Sequence, residues 1–250
     1  MQQYDYIIAG AGASGLSLAW KMLHSPLSEK KILILDQSLT PSNDKTWCFW
    51  DTETPPFANL IHREWNKAEV SIFGNRTIKQ LNNHTYYCLR SGDLRTHILD
   101  KLEKHSNFEL LETPIQELSF NGNTPLLHTD AHTFKADYIF QSCFNPWEDA
   151  QDQPCHPLLQ HFVGWEVNTS KPTFDDGFFT LMDFDQTYTD GIAFIYILPW
   201  SKTSALIEYT IFSNTLLDKK QYEEKVSLYL SNRFDLTPID YNIERKEFGK

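Results

Sequence analysis

The first 36 residues set an apolar strand, a glycine-rich turn, a helix, a second apolar strand and an acid in direct succession, an order that commits the start of the chain to a parallel βαβ unit. Tyr4 to Ala9 reads as the first strand and Gly10-Ala11-Gly12-Ala13-Ser14-Gly15 as the turn. Leu16 to Leu23 reads as the helix and Lys31 to Leu35 as the second strand, ending in Asp36. In such a unit Gly10 permits the tight turn, Gly12 lets the backbone approach a pyrophosphate, and Gly15 lets the helix pack close to the sheet. The helix amino end attracts the phosphates. Asp36 follows Gly15 by 21 residues, where a carboxylate meets the ribose hydroxyls. A bare glycine pattern is a weak signal, but here every part falls in register. Gly10, Gly12, Ala13, Ser14, Gly15 and Asp36 are therefore expected to hold an adenine dinucleotide. The motif leaves open whether this is FAD or NAD, and whether electrons move.

A chain of 250 residues buries a substantial core and has room for one large domain or two ordinary ones. The net charge of −11 and the lack of a basic stretch argue against nucleic-acid binding. Every apolar run stops well short of the ~18 residues of a membrane span, and the amino terminus lacks a secretory pattern. A cytoplasmic protein, soluble or peripherally attached, is expected. Cys48, Cys88, Cys143 and Cys155 are widely spaced without a Cys-x-x-Cys pair, so they read as buried thiols. No histidine spacing suggests a metal, and Pro157 separates His156 from His161.

Further strands are expected at Val70 to Phe73 and Thr85 to Leu89, with a turn at Asn82-Asn83-His84. A helix is expected from Asp93 to His105, with Leu94, Ile98 and Leu102 on one face and Ser91 as its cap. Phe108 to Leu111, Ile115 to Phe120 and Leu126 to Thr129 read as strands, the last two joined by Asn121-Gly122-Asn123, and Tyr138 to Phe144 as a buried one. From Leu159 the chain turns β-rich and aromatic. Strands are expected at Phe162 to Val167, Gly177 to Met182, Ile192 to Leu198 and Ala205 to Phe212, with a turn at Pro199-Trp200-Ser201-Lys202. An amphipathic helix follows at Lys219 to Phe234 and a last strand at Tyr241 to Phe248.

Asn43-Asp44-Lys45-Thr46-Trp47-Cys48-Phe49-Trp50 concentrates large apolar side chains that are costly to expose, so it lines either a core or a ligand. Later come Leu159-Gln160-His161-Phe162-Val163-Gly164-Trp165, Leu181-Met182-Asp183-Phe184, Phe194-Ile195-Tyr196-Ile197-Leu198-Pro199 and Ala205-Leu206-Ile207-Glu208-Tyr209-Thr210. In this order, after the glycine-rich start, these segments resemble the flavin-dependent lycopene cyclase family, closest to its bacterial β-cyclases. The resemblance runs from residue 4 to the end, where Glu244 to Lys250 looks like the opening of a further family segment. It implies a chain truncated before a later glycine-containing flavin segment.

The resemblance implies an α/β fold like that of flavoprotein hydroxylases, a doubly wound Rossmann-like FAD/NAD(P)-binding domain interrupted by a mixed β-sheet substrate domain. The expected division is FAD-binding βαβ at 1–70, substrate-sheet strands at 71–90, FAD domain continued at 91–157 and substrate sheet and helix at 158–250. It implies reduced FAD, with NADPH or NADH as electron donor, and lycopene or other acyclic carotenoids as substrate. Ring closure needs an acid that protonates a terminal alkene and dry walls of π faces that tolerate a cation. By the same resemblance Glu208 is the acid, its pKa raised by desolvation. Pattern alone would make it a surface residue on an edge strand. Asp183 is implied as a second carboxylate that stabilises the cation, orients Glu208 or caps a turn. Arg90 is placed near the flavin, and Trp47, Phe49, Trp50 and Tyr196 along the substrate. Competing readings are a redox flavoenzyme of the same fold and a carotenoid-binding protein without catalysis. A membrane-confined substrate further implies peripheral attachment at the inner face of the cell membrane, through exposed aromatic residues.

Overall fold

The computed structural model describes residues 2–142, 158–186, 188 and 190–250. Cys143, Cys155 and His156 lie outside the described residues, as does the end of the strand expected at Tyr138 to Phe144. In chain order the elements are β1 (Gln2–Ala9), α1 (Ala13–Leu23), β2 (Ile32–Asp36), β3 (Thr46–Asp51), β4 (Ile61–Trp65), β5 (Lys67–Ile72), β6 (Asn75–Gln80) and β7 (Thr85–Arg90). There follow α2 (Ser91–Leu102), β8 (Phe108–Glu112), β9 (Ile115–Asn121), β10 (Thr124–Thr129), β11 (Thr133–Gln141), β12 (Leu159–Thr169) and β13 (Phe179–Asp183). The last are β14 (Gly191–Ser201), β15 (Ser204–Ser213), α3 (Lys219–Phe234) and β16 (Tyr241–Gly249). Two compact units result, one holding the described residues to Trp47 and from Leu89 to Ser142, the other Cys48–Cys88 and the residues from Leu158 onward.

The first unit is built on a six-stranded sheet ordered β8-β2-β1-β11-β10-β9. The first four strands run parallel, and β10 and β9 return antiparallel. Ile32 to Leu35 of β2 are all buried, as are Ile7, Ile8 and Ala9 of β1, the continuous apolar runs that a parallel sheet covered on both faces demands. α1 buries Leu16, Ala19 and Met22, and α2 buries Leu94, Ile98, Leu99 and Leu102. Gly122 takes φ 62° in the turn between β9 and β10.

The second unit is a seven-stranded sheet ordered β16-β12-β15-β14-β13-β5-β6. Alternation along its central strands sends Val163, Trp165, Val167, Ile195, Ile197, Ile207, Tyr209 and Ile211 to one face, where they meet α3. That helix offers Tyr222, Val226, Tyr229 and Leu230 at helical spacing, each contributing about 1.5–3 kcal/mol by burial. Asp218 and Gln221 close a capping box at its start, and Asp235 ends it in the left-handed conformation. Beneath α3 the wholly buried His161 joins the helix to the sheet through Tyr222 Oη at 2.6 Å from Nδ1 and Ser213 Oγ at 2.9 Å from Nε2. Because Ser213 donates to the Thr215 carbonyl, its oxygen accepts from His161, which fixes the neutral tautomer with hydrogen on Nε2.

β3, β4 and β6 are strands that the sequence pattern does not announce. Their polar residues are explained by position: β6 is an edge strand exposed throughout, and β4 alternates around His62 and Glu64 on its solvent side. Residues 48–70 accordingly fall in the second unit. β14 also continues through Pro199 and Trp200, which the sequence reading places in a turn. A bulge between Pro199 and Ser201 absorbs the proline, which has no N–H for the ladder.

Candidate functional site

β1 delivers the chain to Gly10, whose φ of 114° suits glycine. A Cβ there would stand 2.1 Å from Ser142 Oγ, and one on Gly15 would stand 1.9 Å from the Gly10 carbonyl oxygen. A Cβ on Gly12 would meet nothing within 4 Å. Gly12 is also the N-cap of α1, and no side chain caps that end. The first helical bond is Leu16 N–H to Gly12 O, so the N–H groups of Ala13, Ser14 and Gly15 have no acceptor inside the helix. Open space before an uncapped helix amino end, at the carboxyl ends of parallel strands, is what a pyrophosphate requires.

Asp36 terminates β2 and holds this turn in place. Its Oδ2 accepts the Ala11 N–H at 2.6 Å and its Oδ1 the Ser38 N–H at 3.1 Å. Arg95 of α2 completes the arrangement: Nη2 donates to the Ala11 carbonyl at 3.1 Å and lies 3.9 Å from Asp36 Oδ2, while Nη1 reaches the Ser38 and Thr40 carbonyls at 3.3 Å. Sequence reasoning missed Arg95, because an arginine one residue past Leu94 looks like any solvated helix residue. Arg90 is the half-buried N-cap of α2. Ser91 does not cap that helix; its hydroxyl donates to the Ser42 carbonyl and accepts the Lys45 N–H, tying down the loop after β2.

In the second unit the sheet face opposite α3 carries Gly164, Tyr196, Leu198, Leu206 and Glu208. Leu198, Leu206 and Phe179 pack there against Trp65 of β4 and Cys88 of β7. Glu208 stands directly across from Tyr196 on one side and from Gly164 on the other. Its Oε1 accepts the Thr210 hydroxyl at 2.8 Å. Burial raises the pKa of the Tyr196 phenol, with smaller contributions from Glu208 and Cys48. Tyr86 stacks on Phe179 at 4.3 Å and lies 4.5 Å from the Trp50 ring, ring centre to ring centre. Burial, then its hydrogen-bonded neighbour Cys48, pushes the Tyr86 phenol far up. Trp50, Tyr86 and Cys48 thus lie together, and Tyr196 stands between this group and Glu208. Phe49 faces away, stacked on Tyr87 at 5.5 Å, and strand alternation puts Trp47 on the Phe49 side of β3.

Further along the same face, Arg245 of β16 bridges two buried carboxylates, with Nε 3.0 Å from Glu166 Oε2 and Nη1 2.8 Å from Glu247 Oε2. Burial works against the arginine charge, but Glu247 and Glu166 outweigh it and raise the Arg245 pKa.

Asp183 sits elsewhere. It pairs with Ile195, whose side chain belongs to the α3 face, and it is 1% exposed. Its Oδ2 accepts the Tyr229 hydroxyl at 2.7 Å and its Oδ1 the Asp185 N–H at 3.0 Å. Burial and the Asp183 charge push the Tyr229 phenol far up. Glu69, held by Arg233 at 2.9 Å and by Thr180 at 3.0 Å, continues this polar seam beneath the helix. Asp183 and Glu208 therefore occupy opposite faces of one sheet, and the structure does not bring them together.

A β8-β2-β1-β11 parallel core with a glycine cradle at its carboxyl end, combined with a mixed second sheet, defines the Rossmann-like fold of the FAD-dependent flavoproteins. A geranylgeranyl bacteriochlorophyll reductase-like protein from Thermoplasma acidophilum is similar with a TM-score of 0.72 at 12% identity, over 100% of this chain and 66% of that one. p-Nitrophenol 4-monooxygenase from Pseudomonas putida gives 0.67 at 11% identity, over 99% and 68%. The halogenase PltM, in complex with phloroglucinol and FAD, gives 0.67 at 13%, over 98% and 60%.

The chain belongs to the lycopene cyclase protein family, whose model matches residues 5–248. It is 30% identical over 224 residues to a lycopene beta-cyclase of Paracoccus sp. (strain N81106 / MBIC 01143), covering 84% of this chain and 52% of that protein. The chain thus spans about half the length of this curated relative.

Proposed function

We propose that the protein closes the acyclic ends of lycopene into β-ionone rings, with Glu208 as the proton donor and reduced FAD as a cofactor that is not consumed. The observation that supports this reading is the placement of Glu208, a carboxyl group on an apolar aromatic sheet face, between Tyr196 and a glycine. In the neutral form its O–H protonates C2 of the terminal alkene and leaves a tertiary cation at C1. The C5=C6 pair then bonds to C1, the charge moves to C5, and loss of the C6 proton forms the ring double bond. Substrate and product have the same formula, so no oxidant or reductant is used up. The faces of Trp50, Tyr86 and Tyr196 favour the cation and keep out water that would trap it as an alcohol. Asp183, locked to Tyr229 on the other face, serves the attachment of α3.

The cradle fits a dinucleotide: Gly12 leaves room for a pyrophosphate, Ala13 and Ser14 offer N–H donors, and Asp36, braced by Arg95, presents lone pairs to a ribose. When bound in its reduced form, with NADPH or NADH as electron donor, FAD supplies an electron-rich ring that favours nearby positive charge. Attachment to a membrane surface would bring a carotenoid within reach. Phe73, 93% exposed at the tip of the β5–β6 hairpin, and the adjacent exposed Ile72 supply an apolar contact for it. Among the described residues no helix is long and apolar enough to cross a membrane.

The test is the full-length protein with lycopene and reduced FAD in the absence of oxygen. β-Carotene should form without stoichiometric NADPH consumption, and Glu208→Gln should slow it at least ~100-fold while still binding lycopene. The monooxygenases and halogenases of this fold suggest a redox alternative; an obligatory demand for oxygen or NADPH at every turnover would establish it instead.

A further inference from the structure

Glu208 lies within a row that crosses the sheet from Tyr196 to Glu247. Gly164 of β12 pairs with Glu208 of β15 on one side and with Glu247 of β16 on the other, so both glutamates flank the same glycine on the same face. Adjacent strands lie about 4.8 Å apart, which sets the two glutamate Cα atoms roughly 10 Å from each other. Leu206 and Glu247 both reach over the glycine between them, with Leu206 Cδ1 3.1 Å from the position of a Cβ there. Glu247 Cγ lies 2.9 Å, and its Oε1 3.2 Å, from the same position. The other carboxylate oxygen, Oε2, is held by Arg245 at 2.8 Å, and Arg245 is itself anchored on Glu166. Glu247 is 5% exposed, paired with Arg245 through Oε2, and has Oε1 over the glycine that also neighbours Glu208.

We propose that Glu247 is the base of the reaction, the carboxylate that removes the C6 proton after ring closure. This rests on the cyclase reading above. The two glutamates divide the chemistry by their surroundings: Glu208, beside Tyr196, gives up a proton, and Glu247, paired with Arg245, takes one. The Glu208 proton goes to C2, the C5=C6 pair forms the C1–C6 bond, and Oε1 of Glu247 takes the C6 hydrogen while the C–H pair becomes C5=C6. One proton enters and one leaves. Transfer from Glu247 back to Glu208 resets the site without any other reactant. Gly164 is the residue that lets the Glu247 carboxylate lie over β12 beside Leu206, since any Cβ there would collide with both.

The experiment compares Glu247→Gln, Glu247→Asp and Glu208→Gln with the wild type, all as full-length protein with lycopene and reduced FAD. The readouts are melting temperature, lycopene affinity and the ring type of every product. Glu247→Gln should bind lycopene as wild type does and make β-rings at least ~30-fold more slowly. Its residual products should be rings deprotonated at a different carbon, with ε or exocyclic double bonds, whereas Glu208→Gln should return unchanged lycopene. Glu247→Asp keeps the charge on Arg245 but withdraws the oxygen by one methylene, and it should show the same change of ring type. If Glu247→Gln does not fold, Glu247→Asp decides alone. β-Rings as the sole product at within threefold of the wild-type rate in the folded variants would overturn the assignment. A wild type that forms no rings at all would instead overturn the cyclase reading itself.

Discussion

Asp36 accepts the backbone N–H of Ala11 at 2.6 Å, so the acid that closes the second strand also sets the shape of the glycine turn that closes the first. A charge-assisted bond of this kind is worth about 1.5–3 kcal/mol. Asp36→Ala should lower the affinity of the full-length protein for FAD by ~10–100-fold, read by flavin fluorescence, and should lower the melting temperature as well.

Gly12 and Gly15 should separate binding from folding. Gly12→Ala places its methyl group in open space, so the melting temperature without cofactor should stay within about 2 °C of wild type while flavin retention is lost. Gly15→Ala drives a methyl group to 1.9 Å from a backbone carbonyl and should prevent stable folding of the first unit. Thermal melts with and without FAD distinguish the two.

Asp183→Asn should act on stability and leave the chemistry alone. The loss of a buried charge-assisted bond to Tyr229 should cost about 1.5–3 kcal/mol. Denaturant unfolding should show this cost, and Tyr229→Phe should reproduce much of it. Ring formation by the folded fraction should continue at close to the wild-type rate. A loss of turnover without loss of stability would return Asp183 to the reacting centre.

His161 gives the fold a pH dependence with a defined sign. Burial lowers its pKa in the folded protein below the ordinary ~6.5 of the unfolded chain, so between those two values the unfolded state holds more protons. The stability this contributes is complete above about pH 6.5 and is lost as the pH falls below it, by at most ~1.4 kcal/mol per pH unit. Melting temperatures from pH 7.5 to 5 should show a steeper decline in the wild type than in His161→Gln.

Phe73→Ser should weaken attachment to lipid without touching the reaction. The side chain is almost wholly in solvent, so folding should be unchanged. Co-sedimentation with vesicles should fall severalfold, while conversion of detergent-dispersed lycopene should remain at the wild-type rate.

The glycine cradle was legible from residues 4–36 because each part of it is local: strand, turn, helix and acid follow one another along the chain. Glu208 was legible only through the family pattern, since alternation on β15 says which residues share a face and nothing about what covers it. The separation of Asp183 from Glu208 was hidden because it depends on the pairing of Asp183 with Ile195. Arg95 and Glu247 escaped notice for a similar reason. One acts on Ala11 and Asp36 from a later helix, and the other leans over a glycine some 80 residues earlier, at an offset that carries no periodic signal.

The pairing of Gln2 with Phe134 and of Ala68 with Phe179 means that each sheet also joins strands far apart in the chain. Synthesis from the amino terminus must leave one edge each of β1, β2 and β5 waiting until β11, β8 and β13 arrive to pair with it. Such a topology favours slow folding and reliance on chaperones, and cutting the chain at one point cannot liberate either half as a self-sufficient module.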